Sequence, residues 1–241
     1  GKFLLKRRPK GHNNLYRVAF GHAVQSRLAE MGFPVTKLLA TRNNGQTALQ
    51  LKGRIYELFQ FVEGSRYDGS SQATKNAGKY LAKLHSLLGD FGRKLNSLRD
   101  SFHDYTLDDL TTLYSKSYVG VNELGFDSWP EKVIHGDWHP GNMLFSGAEL
   151  AGVVDFDAVR LAPSVVDLAN AMVHFSIVSG RPNPVDWPDY LDQKKLILFL
   201  SGYLEVRDLQ ENMIRAIPDL MIESMITEAV LPVAATGFFG N

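Results

Sequence analysis

Three oxygen-bearing side chains stand at spacings that suit one piece of chemistry: Asp137, Asn142 five positions later, and Asp155. A loop carboxylate can orient a hydroxyl and take its proton as the oxygen attacks. An amide and a second carboxylate are hard oxygen donors, the kind that hold Mg²⁺ against nucleotide phosphates. In Val133-Ile134-His135-Gly136-Asp137-Trp138-His139-Pro140-Gly141-Asn142-Met143-Leu144-Phe145, Asp137 follows a short apolar strand and Asn142 stands where the loop returns. Residues 143–145 and 150–154 read as a two-stranded hairpin around Ser146-Gly147. That hairpin brings Asp155, with Phe156 and Asp157 after it, back beside Asn142.

Each residue also has a plainer reading. Asp and Asn favour turns on their own account, yet three independent positions here satisfy one template. Asp157 is a second metal contact or a cap for the segment after it. His135 and His139 read as groups that hold the loop's shape, and His85 and His174 as core histidines satisfied by their neighbours. The aromatic series Phe156, Phe175, Trp187 and Tyr190 reads as packing. A rival chemistry is a transition-metal site, because His135, Asp137 and His139 alternate and would share one face of a strand. Pro140-Gly141 interrupts such a strand, and the idea leaves Asn142 and Asp155 without a task.

The elements that must position these groups change in type along the chain. Residues 2–7 read as a strand, 14–31 as a helix stopped by Gly32, and 35–41, 46–51 and 54–62 as strands. Turn signals at Asn43-Asn44-Gly45 and Lys52-Gly53 separate the last three. After Glu63-Gly64 the pattern becomes helical: an amphipathic helix over 72–88, another over 106–118, and two or three helical pieces from Tyr190 to Ala229, one opened by Pro218. The result is an α+β chain, strand-rich up to residue 64 and mainly helical beyond.

Composition narrows the partners. Lys plus Arg equals Asp plus Glu at 26 each, so no basic excess points to nucleic acid or a membrane surface. The short run Lys6-Arg7-Arg8-Pro9-Lys10 reads as a solvated strand end. There is no cysteine, which excludes disulfides and thiolate metal sites and agrees with a reducing cytoplasm. No apolar run reaches the length of a membrane span. A soluble, cytoplasmic protein is the expectation.

The spacing His135-x-Asp137-x-x-x-x-Asn142, followed by Asp155-Phe156-Asp157, is that of a kinase catalytic loop and its metal-binding turn. The whole stretch closely resembles the aminoglycoside phosphotransferase/choline kinase superfamily, which includes type II homoserine kinases. The resemblance implies a bilobal protein-kinase-like fold, with residues 1–64 as the nucleotide-binding lobe and 65–241 as the catalytic and substrate-binding lobe. It also implies an ATP- and Mg²⁺-dependent transfer of a phosphoryl group to a hydroxyl of a small molecule. Asp137 then matches the base, and Asn142 and Asp155 the metal ligands. Phe3-Leu4-Leu5-Lys6 is similar to the family's lysine strand, with Lys6 as the phosphate clamp. Tyr56 to Gly64 is similar to its inter-lobe hinge, with the backbone at Gln60 and Val62 facing adenine. Leu84-His85, Pro163 and Asp167-Leu168-Ala169 also resemble family segments.

Two departures stand out. The family's small lobe opens with two strands and a phosphate-covering loop, so this lobe is expected to be partial. The helix after the lysine strand normally supplies the lysine with an acidic partner, yet residues 16–29 contain neither Asp nor Glu. His22 or Gln25 occupies that neighbourhood. A kinase-like binding module with impaired catalysis is the alternative these departures leave.

Overall fold

Arg54–Gln60 (β3), which alternates buried Ile55 and Glu57 with more exposed neighbours, is the centre of the N-terminal sheet, and Phe3–Arg7 (β1) lies along it. In this computed structural model, which describes residues 1–9, 14–42, 44–89, 108–178, 187–188 and 190–236, the two strands pair antiparallel with Lys6 opposite Glu57. Ala48–Leu51 (β2) adds to the other side of β3, giving the order β1-β3-β2. Lys10 and Asn43, which belong to the expected strand end and turn, lie outside the described residues.

Between β1 and β2 runs α1, Leu15–Glu30, opened by the Asn14 side chain accepting from the Tyr16 and Arg17 N–H groups. Gly32, at φ 74°, ends it: the Phe33 N–H reaches Leu28 O at 2.9 Å and the Gly32 N–H reaches Ala29 O, a Schellman closure. Residues 35–41, expected as a strand, form only single bridges, Val35 with Val153 and Leu38 with Phe59. Their backbone bonds are divided between two sheets: Thr36 N–H goes to Val153 O, and Leu39 N–H to Leu58 O. No continuous ladder can form from bonds split in this way.

The helical remainder is built on α2 (Ser71–Leu87), α3 (Asp108–Glu123), α4 (Ser164–Ser176), α5 (Gln193–Leu204) and α6 (Glu211–Thr236). Helix α2 packs along α5, and α6 packs on α3 and α4. The α2–α5 approach is close because both contribute glycine: a Cβ on Gly78 would fall 2.1 Å from Phe199 O, and one on Gly202 1.9 Å from Lys75 O. Pro218, expected to open a helix, lies inside α6. Packing on two neighbours overrides the local cost of about 3 kcal/mol that an interior proline imposes.

Two short pairings sit between these parts. Glu131–Ile134 (β4) pairs antiparallel with Arg160–Pro163 (β7), and Met143–Ser146 (β5) with Glu149–Val153 (β6). Strand β7 has no counterpart among the elements expected from periodicity. The chain therefore leaves β4 by one loop (135–142) and returns to β7 by another (154–159). The hairpin β5–β6 joins the two loops, and the Val154 N–H bonds Asn142 O at 3.0 Å. Among the described residues no helix is long and apolar enough to cross a membrane.

Candidate active site

The first loop is held from beneath. Gly136 has φ 78°, and a Cβ there would meet Ala158 O at 2.3 Å, so no other residue fits. Asp167, on the first turn of α4, accepts the N–H of His135 at 2.8 Å and of Gly136 at 2.9 Å. Its third bond comes from His85 Nε2 at 3.0 Å, and His85 Nδ1 meets the Tyr203 hydroxyl at 2.9 Å. Burial alone would raise the Asp167 carboxyl, but the hydrogen bonds from the His85 side chain and the His135 backbone help hold it below its ordinary value. Burial lowers His85, and burial pushes Tyr203 up to about 12, so its hydroxyl keeps its proton as a donor.

His135 is 1% exposed, with its ring 4.8 Å from that of Phe156 and 5.4 Å from that of Trp138, which is itself buried. It is buried inside the loop. His139 Nδ1 accepts the Gly141 N–H at 3.0 Å, which closes the short 3-10 turn Pro140–Asn142. The zinc-type rival fails here, because His135 is sealed in the core and residues 135–139 do not form a strand. Among the described residues no cluster of three His, Cys, Asp or Glu side chains could hold a metal.

Asp137 remains at the surface of this frame, its side chain 39% exposed. Asn142 Nδ2 donates to its Oδ2 at 2.8 Å and to its backbone carbonyl at 3.0 Å. His139 Nε2 lies 3.5 Å from the same Oδ2. Burial works to raise Asp137, but His139 and Asn142 outweigh it and keep the carboxyl below its usual range. A charged carboxylate with its second oxygen open is the form that can receive a proton.

The second loop carries Asp155 in the left-handed region at φ 62°, one of two non-glycine residues with positive φ among those described. Lys6 Nζ donates to Asp155 Oδ1 at 3.1 Å and to Asp157 Oδ2 at 2.8 Å. The structure thus joins Asp137 to Asn142 and Lys6 to Asp155. The partners of Lys6 are thus the two aspartates, and the residues in the neighbourhood of the missing helix acid bond elsewhere: Gln25 Nε2 donates to Thr36, and His22 bonds Thr47 Oγ1 and Glu57. Burial opposes the charge on Lys6, but Asp157 and Asp155 together hold its pKa above the ordinary value.

Sequence reasoning missed Arg8 and Glu57. Arg8 is not a solvated strand end; it is 7% exposed, and its Nε and Nη2 fork onto the Glu57 carboxylate at 2.8 and 2.9 Å. Alternation held the signal. Leu4 and Lys6 on β1 and Arg8 just past its end lie on one face, as do Ile55, Glu57 and Phe59 on β3, and an acid between two inward apolar residues calls for a partner. Together with α1 and the Asp155–Asp157 turn these faces line a cavity of about 740 Å³. Gln60 and Val62 lie just past its lining: the Gln60 N–H is bonded to Lys37 O at 2.8 Å, and Val62 packs on Gly152. The aromatic series divides: Phe156 and Phe175 are buried, whereas Tyr190 is 64% exposed.

An antiparallel N-terminal sheet, a mainly helical remainder and a cavity floored by the Asp155–Asp157 turn make up a fold that solved structures share. A solved amicoumacin kinase, in complex with AMP-PNP, Ca²⁺ and Ami, matches with a TM-score of 0.68 at 15% identity, over 91% of this chain and 70% of that one. An ethanolamine kinase of Plasmodium vivax matches with a TM-score of 0.59 at 18% identity, over 95% of this chain and 69% of that one. At such identities the likeness is one of fold. The chain belongs to the phosphotransferase enzyme family (APH), whose family model matches residues 1–194. Curated relatives include homoserine kinases of Zymomonas mobilis, 28% identical over 59% of this chain and 49% of that protein, and of Methylocella silvestris, 27% identical over 80% and 61%. The chain thus spans about half to three fifths of the length of these relatives.

Proposed function

We propose that this chain is a Mg²⁺-ATP-dependent kinase that moves the γ-phosphoryl group to a hydroxyl of a metabolite or an aminoglycoside-like acceptor. The observation that carries the reading is the pairing of two adjacent loops, one presenting Asp137 held by Asn142, the other presenting Asp155 held by Lys6. In this reading residues 1–64 are the nucleotide-binding lobe of a bilobal, protein-kinase-like fold and residues 65–241 the catalytic and acceptor-binding lobe. ATP enters the cavity between α1, the sheet and the Asp155–Asp157 turn. Gln60 and Val62 face adenine through their backbone, with the Gln60 carbonyl as its remaining group.

The donor set fits a hard cation. The Asn142 amide nitrogen is committed to Asp137, which leaves its oxygen for a metal, and Asp155 keeps one carboxylate oxygen beyond the Lys6 contact. Asn142 and Asp155 would hold Mg²⁺, which when bound supplies neutralisation of phosphate charge. Asp137 orients the acceptor hydroxyl and receives its proton. The acceptor oxygen bonds to the γ-phosphorus as the bond to the ADP oxygen breaks, and ADP departs. Lys6 clamps the phosphates, and catalysis is chiefly positioning and charge stabilisation.

The acceptor reaches Asp137 past α4 and α6. On that side the His139 ring lies 5.5 Å from His174, His174 pairs with Glu228, and Asn170 bonds Ser224 and Glu228. The homoserine, ethanolamine and amicoumacin kinases that resemble this chain differ in their named substrates, so the acceptor is defined here as a small hydroxyl compound. The test is Asp137→Asn. Turnover of an acceptor used by the wild type should fall by about two orders of magnitude or more, with ATP affinity retained. Near-normal turnover would remove Asp137 from the role.

A further inference from the structure

Lys6 faces a difficulty that the geometry also answers. To clamp a phosphate it must leave Asp155 and Asp157, two carboxylates that share its one ammonium and, though 42% and 40% exposed, would then face each other without a cation between them. Asp155 gains a metal under the proposed function. Asp157 has a second cation already in place: Arg8 Nη2 lies 2.6 Å from its Oδ1, on the opposite oxygen from Lys6.

Arg8 cannot follow Lys6 toward a ligand. Its planar guanidinium is forked onto Glu57, which is 2% exposed, and Glu57 Oε1 is also bonded by His22 Nε2 at 2.5 Å. His22 Nδ1 bonds in turn to Thr47 Oγ1 at 2.7 Å. Burial would raise the Glu57 carboxyl, but His22 and Arg8 hold it below its ordinary value. The chain Thr47–His22–Glu57–Arg8–Asp157 therefore runs from the residue before β2 through α1, β3 and the end of β1 to the loop that carries Asp155. It links α1 to that loop although α1 offers no acid to Lys6. At Gly21 the helix meets the loop by backbone alone, since a Cβ there would fall 2.7 Å from Phe156 O.

We propose that Arg8 is a positioning residue that retains Asp157 and so releases Lys6 for the nucleotide phosphates. The proposal rests on the kinase reading, and it assigns Arg8 no contact with the reacting atoms. Without Arg8, Lys6 becomes the only cation for Asp157 within this set and stays bound to it.

The decisive measurement is calorimetric titration of the full chain with ATP, with and without Mg²⁺. Arg8→Met with Glu57→Gln removes both buried charges together and so avoids stranding either; ATP affinity should fall about tenfold. Adding Asp157→Asn to that pair should restore affinity to within about threefold of wild type, because Lys6 is freed. Arg8→Lys is the milder variant: it keeps a charge and loses the fork, and should show a smaller loss that Asp157→Asn also repairs. A merely structural Arg8 predicts the opposite, with Asp157→Asn adding to the damage. No loss in the double variant, or a loss left unrepaired, overturns the proposal. A nucleotide-free readout separates the two failures. Asp157→Asn should lower the thermal midpoint in wild type by at least about twice what it does in the double variant. Additive changes in midpoint contradict the Arg8–Asp157 link whatever the chain binds, whereas a wild type that binds no ATP contradicts the kinase reading instead.

Discussion

Asp155 holds a backbone conformation, φ 62°, that an ordinary side chain adopts at a cost of about 1–3 kcal/mol. Asp tolerates it better than most residues, and the fold maintains it by the Val154 N–H bond to Asn142 and the packing of Phe156 under His135. A turn residue alone would not need its carboxylate pointed at Lys6. Asp155→Ala should therefore leave the chain folded and abolish the Mg²⁺ dependence of ATP binding, since Asn142 alone is a weak ligand. Calorimetry with and without Mg²⁺ checks this, and unchanged metal dependence would reduce Asp155 to a turn residue. At this scale the sequence exposed Asp137, Asn142 and Asp155 because loop spacing is local. It concealed Arg8 and Glu57, because Arg8 finds its partners Glu57 and Asp157 at 49 and 149 positions along the chain. A run of basic residues looks solvated until strand pairing shows which of them turn inward.

At the scale of elements, α2, α4 and α5 meet around one buried group, Asp167, which anchors the loop of Asp137 through the backbone of His135 and Gly136. The assembly has a definite response to acid. Burial holds the folded pKa of His85 below 6.5, so between those values the unfolded chain binds a proton that the folded chain does not. Stability must then fall as pH drops below 6.5. Asp167 adds a second loss lower down: its folded pKa is depressed below 3.8, so its contribution is complete above that ordinary value and vanishes as pH falls through the folded one. His85→Gln keeps a donor for Asp167 and an acceptor for Tyr203 but cannot titrate. Its stability to urea, followed from pH 7 to pH 5, should decline less than that of wild type, by up to about 1.4 kcal/mol for each pH unit below the ordinary histidine value. Parallel curves would contradict the assignment. Helices α1, α2, α3, α5 and α6 were legible from periodicity, caps and Gly32. The segment 35–41 and Pro218 were not, because a strand needs neighbours to complete its ladder and a proline's local cost can be overridden by packing on α3 and α4.

Across the whole molecule, the path from Asp157 to α4 decides what kind of acceptor can reach Asp137. Only Ala158 to Ala162 separate Asp157 from Pro163, and most of that length is spent as β7 on β4. Five residues span at most roughly 17 Å when extended, too little to connect two elements and also form a platform for a peptide. The segment holds no Ser, Thr or Tyr that phosphorylation could use as a switch. Helices α4 and α6 meet the loop of Asp137 at His139, through His174 and Glu228, which favours a small acceptor held beside them. Incubating the chain with γ-labelled ATP and Mg²⁺ against a library of hydroxylated metabolites and, separately, a peptide library tests the central claim most directly. The account predicts label transferred to one or a few small hydroxyl compounds, dependent on Mg²⁺, with peptides left unlabelled; efficient peptide labelling without metabolite turnover, or no transfer to any hydroxyl compound, would contradict it.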